Sequence, residues 1–188
     1  MKRGVSFLIT IFLCFFLSAP VWAADSVTVV IDPGHGGAGE DDAENGAKYA
    51  DGLAEKDVNL VTSLAMRDEL QKYYNVEVYL TREDDRKLSL EERVRYAKMV
   101  GADVMVCCHY NASETHIFYG SEIFTSAFGE CYRVGNSLGR CIMDRWVNDE
   151  GRENKGIKVR IGSRGNDYYG VIRHGREEDL PVLIVEHG

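Results

Sequence analysis

Four side chains of this 188-residue chain could together carry out hydrolysis: His35, Glu55, His109 and Glu186. Two imidazoles and one carboxylate, with a fourth position left for water, form the donor set of a catalytic zinc site. A second carboxylate that is not a ligand can take a proton from that water. The count assigns His35, Glu55 and His109 as ligands of one Zn2+ and Glu186 as the general base. The four come from distant segments, so spacing alone leaves another reading open: two loop histidines and two ordinary charged residues, Glu186 at a strand end.

A shared sheet edge would bring them together. Val27–Ile31 is a β-branched run that reaches Asp32-Pro33-Gly34 and reads as a buried strand feeding a glycine loop. A polar, acidic loop runs to about Gly52. Ala54, Val58, Val61 and Ala65 recur at helical spacing, which predicts a helix over Glu55–Tyr74. Val76–Thr81 reads as a second strand. Ser89 and Glu92 form a capping box for a helix that stops at Gly101. Asp103–Cys108 is a third strand, running into His109. Ser121–Thr125 is a short strand, Tyr132–Val147 a helix, and Ile157–Ile161 a strand or a loop. Pro181 opens a last strand, VLIVE, that ends at Glu186.

Alternating strands and helices predict a single α/β domain: a mostly parallel sheet of about six strands, flanked by helices. In such sheets ligands sit beyond the carboxyl ends of the strands. His35, His109 and Glu186 follow or end three strands, and Glu55 opens a helix at the same edge. They converge if those strands are parallel neighbours. Three helices are legible where two per face are usual. This predicts a further helix beyond Gly188 and a domain over 25–188 truncated at its C-terminus.

Gly34–Gly39 also matches G-x-G-x-x-G, the dinucleotide fingerprint. That pattern must open a helix, and no helical period starts here. Glu40, Asp41, Asp42 and Glu44 follow and would repel a pyrophosphate. Cys107 and Cys108, adjacent in a strand, point to opposite faces. Cys131 and Cys141, ten residues apart in one helix, are separated by about 15 Å of rise, too far for a bridge. The cysteines read as small buried hydrophobes. Asn111 serves either the surroundings of the site or a plain turn. His116, His174 and His187 read as exposed, although His187 adjoins the base. Tyr168, Tyr169, Arg173 and Arg176 read as a solvated loop before the last strand, or as a groove wall. Arg82 is expected to pair with a carboxylate such as Asp85.

Residues 1–24 read as a secretory signal peptide: a positive start at Lys2-Arg3, an apolar run over Val5–Leu17, and small residues to Ala24. The expected location is therefore outside the cytoplasm, secreted, with no stable membrane insertion after cleavage. Formal charge is −8 for the whole chain, and cleavage would remove two cations and no acid. A chain this acidic, without a basic cluster, excludes nucleic acid as the expected partner. Attraction to any anionic target must be local.

Six blocks occur in order: VVIDPGHGG (29–37), GLAEKDVNL (52–60), YLTREDD (79–85), LSLEERVRYA (88–97), ADVMVCCHYNA (102–112) and VLIVEHG (182–188). Together they resemble the type 3 N-acetylmuramoyl-L-alanine amidases, zinc hydrolases of bacterial peptidoglycan. The resemblance implies cleavage of the amide between N-acetylmuramic acid and L-alanine. It places the family's two His and two Glu on His35, Glu55, His109 and Glu186, the same four residues. A zinc peptidase or deacetylase would use a similar site, and a non-catalytic relative would bind muropeptide without cutting it. The sequence departs from the family's usual pattern at Lys98 and at Cys107-Cys108. Residues 113–180 read as a strand, one helix and loops, with no insertion that would block the metal. Relatives continue beyond the Glu186 block into a terminal helix.

Overall fold

A computed structural model of the chain describes residues 26–39, 45–49, 52–111 and 119–188. The expected signal peptide, the acidic run at 40–44 and His116 lie outside them. The elements are β1 (Val27–Pro33), α1 (Glu55–Leu70), β2 (Val76–Leu80), α2 (Leu90–Met99), β3 (Val104–His109), β4 (Ser121–Thr125), α3 (Gly129–Glu150), β5 (Asn154–Lys158), α4 (Gly170–Glu177) and β6 (Val182–Glu186).

The six strands form one sheet in the order β2-β1-β3-β6-β4-β5. β1 pairs parallel with β2 and β3, and β3 pairs parallel with β6. The three strands that carry or precede His35, His109 and Glu186 are thus parallel neighbours, and His109 lies directly across from Glu186. β4 runs antiparallel to β6, with Glu122 across from Glu186, and β5 follows β4. The sheet is mostly parallel with a reversed two-stranded edge.

Strand side chains alternate between two cores. On one face Ile31, Val106, Cys108, Leu183 and Val185 are buried with α1 and α3 side chains such as Leu64, Leu138 and Trp146. On the other, Val30, Met105, Cys107, Val182 and Ile184 pack with Val94 and Ala97 of α2 and Ile172 of α4. Each large aliphatic fully buried here contributes about 1.5–3 kcal/mol. Cys107 and Cys108 therefore do point to opposite faces. Both are buried and free, as is Cys131, while Cys141 is free and exposed.

Several expectations are corrected. α1 stops at Leu70 rather than Tyr74, and β5 spans Asn154–Lys158 rather than Ile157–Ile161. Ile161 instead bridges to Asp167 across a turn. The stretch read as a solvated loop before the last strand contains α4, with Val171, Ile172 and Gly175 buried. With α4, the described helices number two per face. Lys98, with no evident role in the sequence, donates to the Glu178 carbonyl at the end of α4, 2.7 Å away. The capping box is present: Ser89 Oγ accepts from Glu92 N–H, and the Glu92 carboxylate accepts from Ser89 N–H.

Candidate metal centre

The Asp32-Pro33-Gly34-His35 segment turns sharply as it leaves β1. His35 has φ 61°, a left-handed backbone that a β-carbon disfavours. Two buried guanidiniums hold it there. Arg93, from α2, donates to the carbonyls of Pro33 (2.9 Å) and His35 (2.7 Å), and pairs with Asp32 at 2.7 Å. Arg82, just after β2, donates to the carbonyls of Pro33 (3.0 Å) and Gly34 (2.9 Å), and to Lys56 and Asp84 carbonyls at the start of α1 and in its own loop. Both arginines are almost fully buried. Asp32 also accepts from the Thr81 hydroxyl. Arg82 therefore spends its donors on carbonyls, and Asp85 pairs with Lys56 instead, at 2.7 Å. With the loop's carbonyls turned onto guanidiniums and α1 starting only at Glu55, the glycine run is no phosphate cradle of the fingerprint type.

Glu55 lies between the histidines. Its Oε2 is 3.4 Å from His35 Nε2 and its Oε1 is 3.0 Å from His109 Nδ1. The backbone N–H groups of Ala47 and Tyr110 donate to the same carboxylate, at 2.9 and 3.2 Å. Burial opposes ionisation of Glu55, but the hydrogen bonds from His109, His35 and Ala47 prevail and hold it far below the usual carboxylate range. It is a carboxylate at any working pH. Two glycines make room: a β-carbon on Gly34 would run into the His109 ring, and one on Gly46 into the Glu55 carboxylate. The ring centroids of His35 and His109 are 5.0 Å apart.

Among the described residues, His35, Glu55 and His109 form a cluster in which one potential ligand atom from each lies within 4.8 Å of the others. Two imidazoles and an ionised carboxylate are a donor set that suits zinc, so the residues fit the ion the sequence called for. A cleft of about 330 Å³ opens beside them, lined by Gly34, His35, Ser89, Leu90, His109 and Val171.

Glu186 faces this cluster from β6. Burial raises its pKa, as does repulsion from Glu55 and Glu122, and together they bring it to about 7 despite the histidines. Its Oε2 is buried with no hydrogen-bond partner among the described residues. An unpaired buried carboxylate oxygen calls for water or substrate, and a pKa near working pH suits proton transfer. Asn111 donates to Glu122 Oε1 at 3.2 Å, across the sheet from Glu186, and Lys158 pairs with the other oxygen of Glu122. His187 is not exposed as expected. Its ring stacks on Tyr110 at 4.9 Å and packs on Trp146 at 4.9 Å, and burial lowers its pKa to about 4. His174 is part-buried and sits 3.3 Å from Glu177. Arg93 and Glu122 are neighbours of the cluster that the sequence pattern does not single out, and Arg82, expected to pair with Asp85, grips backbone carbonyls instead. For Arg93 there was a signal: it stands at i, i+1, i+4 with Val94 and Ala97, on the apolar stripe of α2.

A sequence model of the family described as N-acetylmuramoyl-L-alanine amidase matches residues 29–188. CwlM of Bacillus licheniformis, an N-acetylmuramoyl-L-alanine amidase, is 44% identical over 87 residues, covering 46% of this chain and 32% of that protein. LytC of Bacillus subtilis, named likewise, is 33% identical over 161 residues, covering 85% and 28%. The chain thus spans about a third of the length of these curated relatives. The catalytic domain of CwlV from Bacillus (Paenibacillus) polymyxa superposes with a TM-score of 0.68 at 29% identity, over 86% of this chain and 80% of that one.

Proposed function

This chain belongs to the N-acetylmuramoyl-L-alanine amidase family, and we propose that it hydrolyses the amide between N-acetylmuramic acid and L-alanine in peptidoglycan, using one zinc ion. The observation that carries this reading is the placement of an ionised Glu55 between His35 and His109, with an unpartnered Glu186 oxygen facing them. His35, Glu55 and His109 would hold the ion. When bound, zinc supplies a Lewis acid for the amide carbonyl and makes water more acidic.

The chain's own groups do the rest. Glu186 accepts a proton at its carboxylate as water oxygen bonds to the carbonyl carbon. It then returns that proton to the nitrogen as the carbon–nitrogen bond breaks, releasing the L-alanine amine and the muramic carboxylate. Burial of Glu186 favours the uptake of the proton, because it raises the proton affinity of the carboxylate above that of a solvated one. The pinned loop keeps the His35 imidazole in place before substrate arrives, and Glu55 holds that of His109.

Secretion belongs to the same proposal: residues 1–24 direct export, and the substrate lies outside the cytoplasm. Among the described residues, no helix is long and apolar enough to cross a membrane.

Mass spectrometry of digested muropeptides is the test. Intact stem peptides with a free L-alanine amine, in a reaction abolished by a chelator and restored by zinc, are expected. Release of acetate or of internal peptide fragments would point to a deacetylase or a peptidase. Binding of muropeptide with no cleavage at all would point to a non-catalytic relative.

A further inference from the structure

Although no compact basic cluster stands out in the sequence, the acidic chain carries one stretch with an excess of cations. Between Arg152 and Arg176 there are seven Lys or Arg and only two acidic residues, against a formal net charge of −8 overall. Most of these cations have partners. Arg152 and Lys155 pair with Glu150 and Glu153, Arg176 with Asp167, and Arg173 donates to the carbonyls of Asp167 and Tyr168. Arg160 differs. It is exposed, and its guanidinium lies flat over Tyr168, 3.5 Å from the ring centroid, and 6.0 Å from that of Tyr169. Among the described residues, no carboxylate pairs with it. A guanidinium stacked on a ring presents its N–H edge sideways; part of that edge goes to the Tyr169 hydroxyl, and the rest faces outward for a planar anion.

This position is connected to the reacting centre. Tyr169 packs on Phe124 of β4 at 4.8 Å. Two residues before Phe124 stands Glu122, across from Glu186 and paired with Lys158. Burial raises the Tyr169 hydroxyl pKa and Arg160 lowers it, while Glu186 and Glu122 raise it. Tyr169 thus feels both the base and the arginine. A continuous strip runs from Glu186 through Glu122 and Lys158, over Tyr169, to Arg160 on Tyr168. The carboxylate of Glu122 already neutralises Lys158, so the uncompensated cation of the strip is Arg160.

We infer that Arg160, braced on Tyr168 and Tyr169, binds a carboxylate of the peptide half of the substrate, so that the site selects an anionic stem peptide. This rests on the amidase reading for the identity of the substrate. The two tyrosine rings meet edge to face and brace the guanidinium, and the arginine supplies a local positive charge for an acidic ligand on an otherwise acidic protein.

The test measures binding without turnover, in the full chain loaded with zinc and carrying Glu186→Gln. Two probes are titrated by calorimetry: a soluble muropeptide with free peptide carboxylates, and the same muropeptide with those carboxylates amidated. Adding Arg160→Ala is expected to weaken the free-carboxylate probe about five- to tenfold and to leave the amidated probe within about twofold. Arg160→Lys, which keeps charge but not the fork, should recover part of the loss. Equal weakening of both probes would reduce Arg160 to a packing element, and no weakening of either would remove it from the site; both results overturn the inference. Hydrolysis by the parent chain is read separately. A chain that discriminates the probes yet cuts neither refutes the amidase reading and leaves the recognition result standing.

Discussion

On the β1 side of the metal cluster, the His35 loop is pinned by Arg82 and Arg93, two guanidiniums that are 2% and 4% exposed and spend their donors on backbone carbonyls and Asp32. On the β4 side, Glu186 is flanked by a reversed edge whose cations, Lys158 and Arg160, stand in solvent. One side is a cradle with every group committed, and the other is a surface with capacity left over. The difference teaches how the work is divided. A ligand on a strained left-handed residue needs a surround that leaves it no alternative, whereas recognition of a variable peptide needs groups that desolvate only when substrate arrives.

The largest effect is expected where the two sides meet. Glu186→Gln keeps the shape of the side chain and removes its ability to take a proton. Turnover should fall by about 10²–10⁴, with zinc content by metal analysis unchanged. A variant that retains near-parental turnover would break the assignment of the base. The pH profile of the parent sharpens it. The base proposed here, Glu186, can take a proton only when ionised, so activity is expected to fall as pH drops through its pKa. That pKa is about 7 without the ion, and a bound dication can only lower it, so the acid limb should lie at or below pH 7.

Arg93→Met comes next. It removes the charge that pairs with Asp32, a carboxylate only 2% exposed, and frees the carbonyls of Pro33 and His35. Loss of one partner from a buried pair costs about 3–5 kcal/mol, measured as a shift of the denaturant midpoint. Zinc affinity, measured against a competing chelator, should fall as well, because the His35 loop loses its clamp. By contrast, Arg160→Ala on the exposed side should change stability by about 0.5 kcal/mol or less. Equal destabilisation by the two substitutions would erase the distinction between cradle and surface.

The same contrast explains what could be read from the sequence. The β-branched runs of β1, β3 and β6 announce strands buried on both faces, so the gathering of His35, His109, Glu55 and Glu186 at one sheet edge was legible in the sequence, while their roles came from the family resemblance. The cradle was not legible. A buried arginine looks like a solvated one unless its place on the helix stripe is noticed, as for Arg93 beside Val94 and Ala97. α4 escaped because an eight-residue helix containing Gly170 and Gly175 has weak intrinsic propensity. Gly175 is there for packing: a β-carbon would strike Val182. The reversal of β4 was not legible either, since strand direction depends on how the chain returns to the sheet, and residue pattern does not record it.

The last effect appears only at low pH and concerns His187, which follows Glu186 but belongs to the committed side. Its ring is held between Tyr110 and Trp146, and its Nε2 is buried with no partner among the described residues. Burial, then the nearby Arg152 charge, lowers its pKa to about 4 from 6.5, against a smaller opposing pull from Glu150. Between these values the unfolded chain binds a proton that the folded chain refuses, so the contribution of His187 to stability is full above pH 6.5 and is lost as pH falls toward 4. Glu186 next door titrates in the opposite sense: its pKa is raised, so without metal the folded state gains stability as pH falls from 7 to 4.5. The two effects mask each other in the parent chain, and only a difference between variants separates them. His187→Phe retains a ring for Tyr110 and Trp146 and cannot titrate. Denaturant unfolding in the presence of a chelator should show the two chains close in stability at pH 7. The phenylalanine variant should be more stable by about 2 kcal/mol at pH 4.5, at about 1.4 kcal/mol per pH unit. Parallel pH profiles for the two chains would mean that His187 is solvated, and would move it from the cradle to the open side.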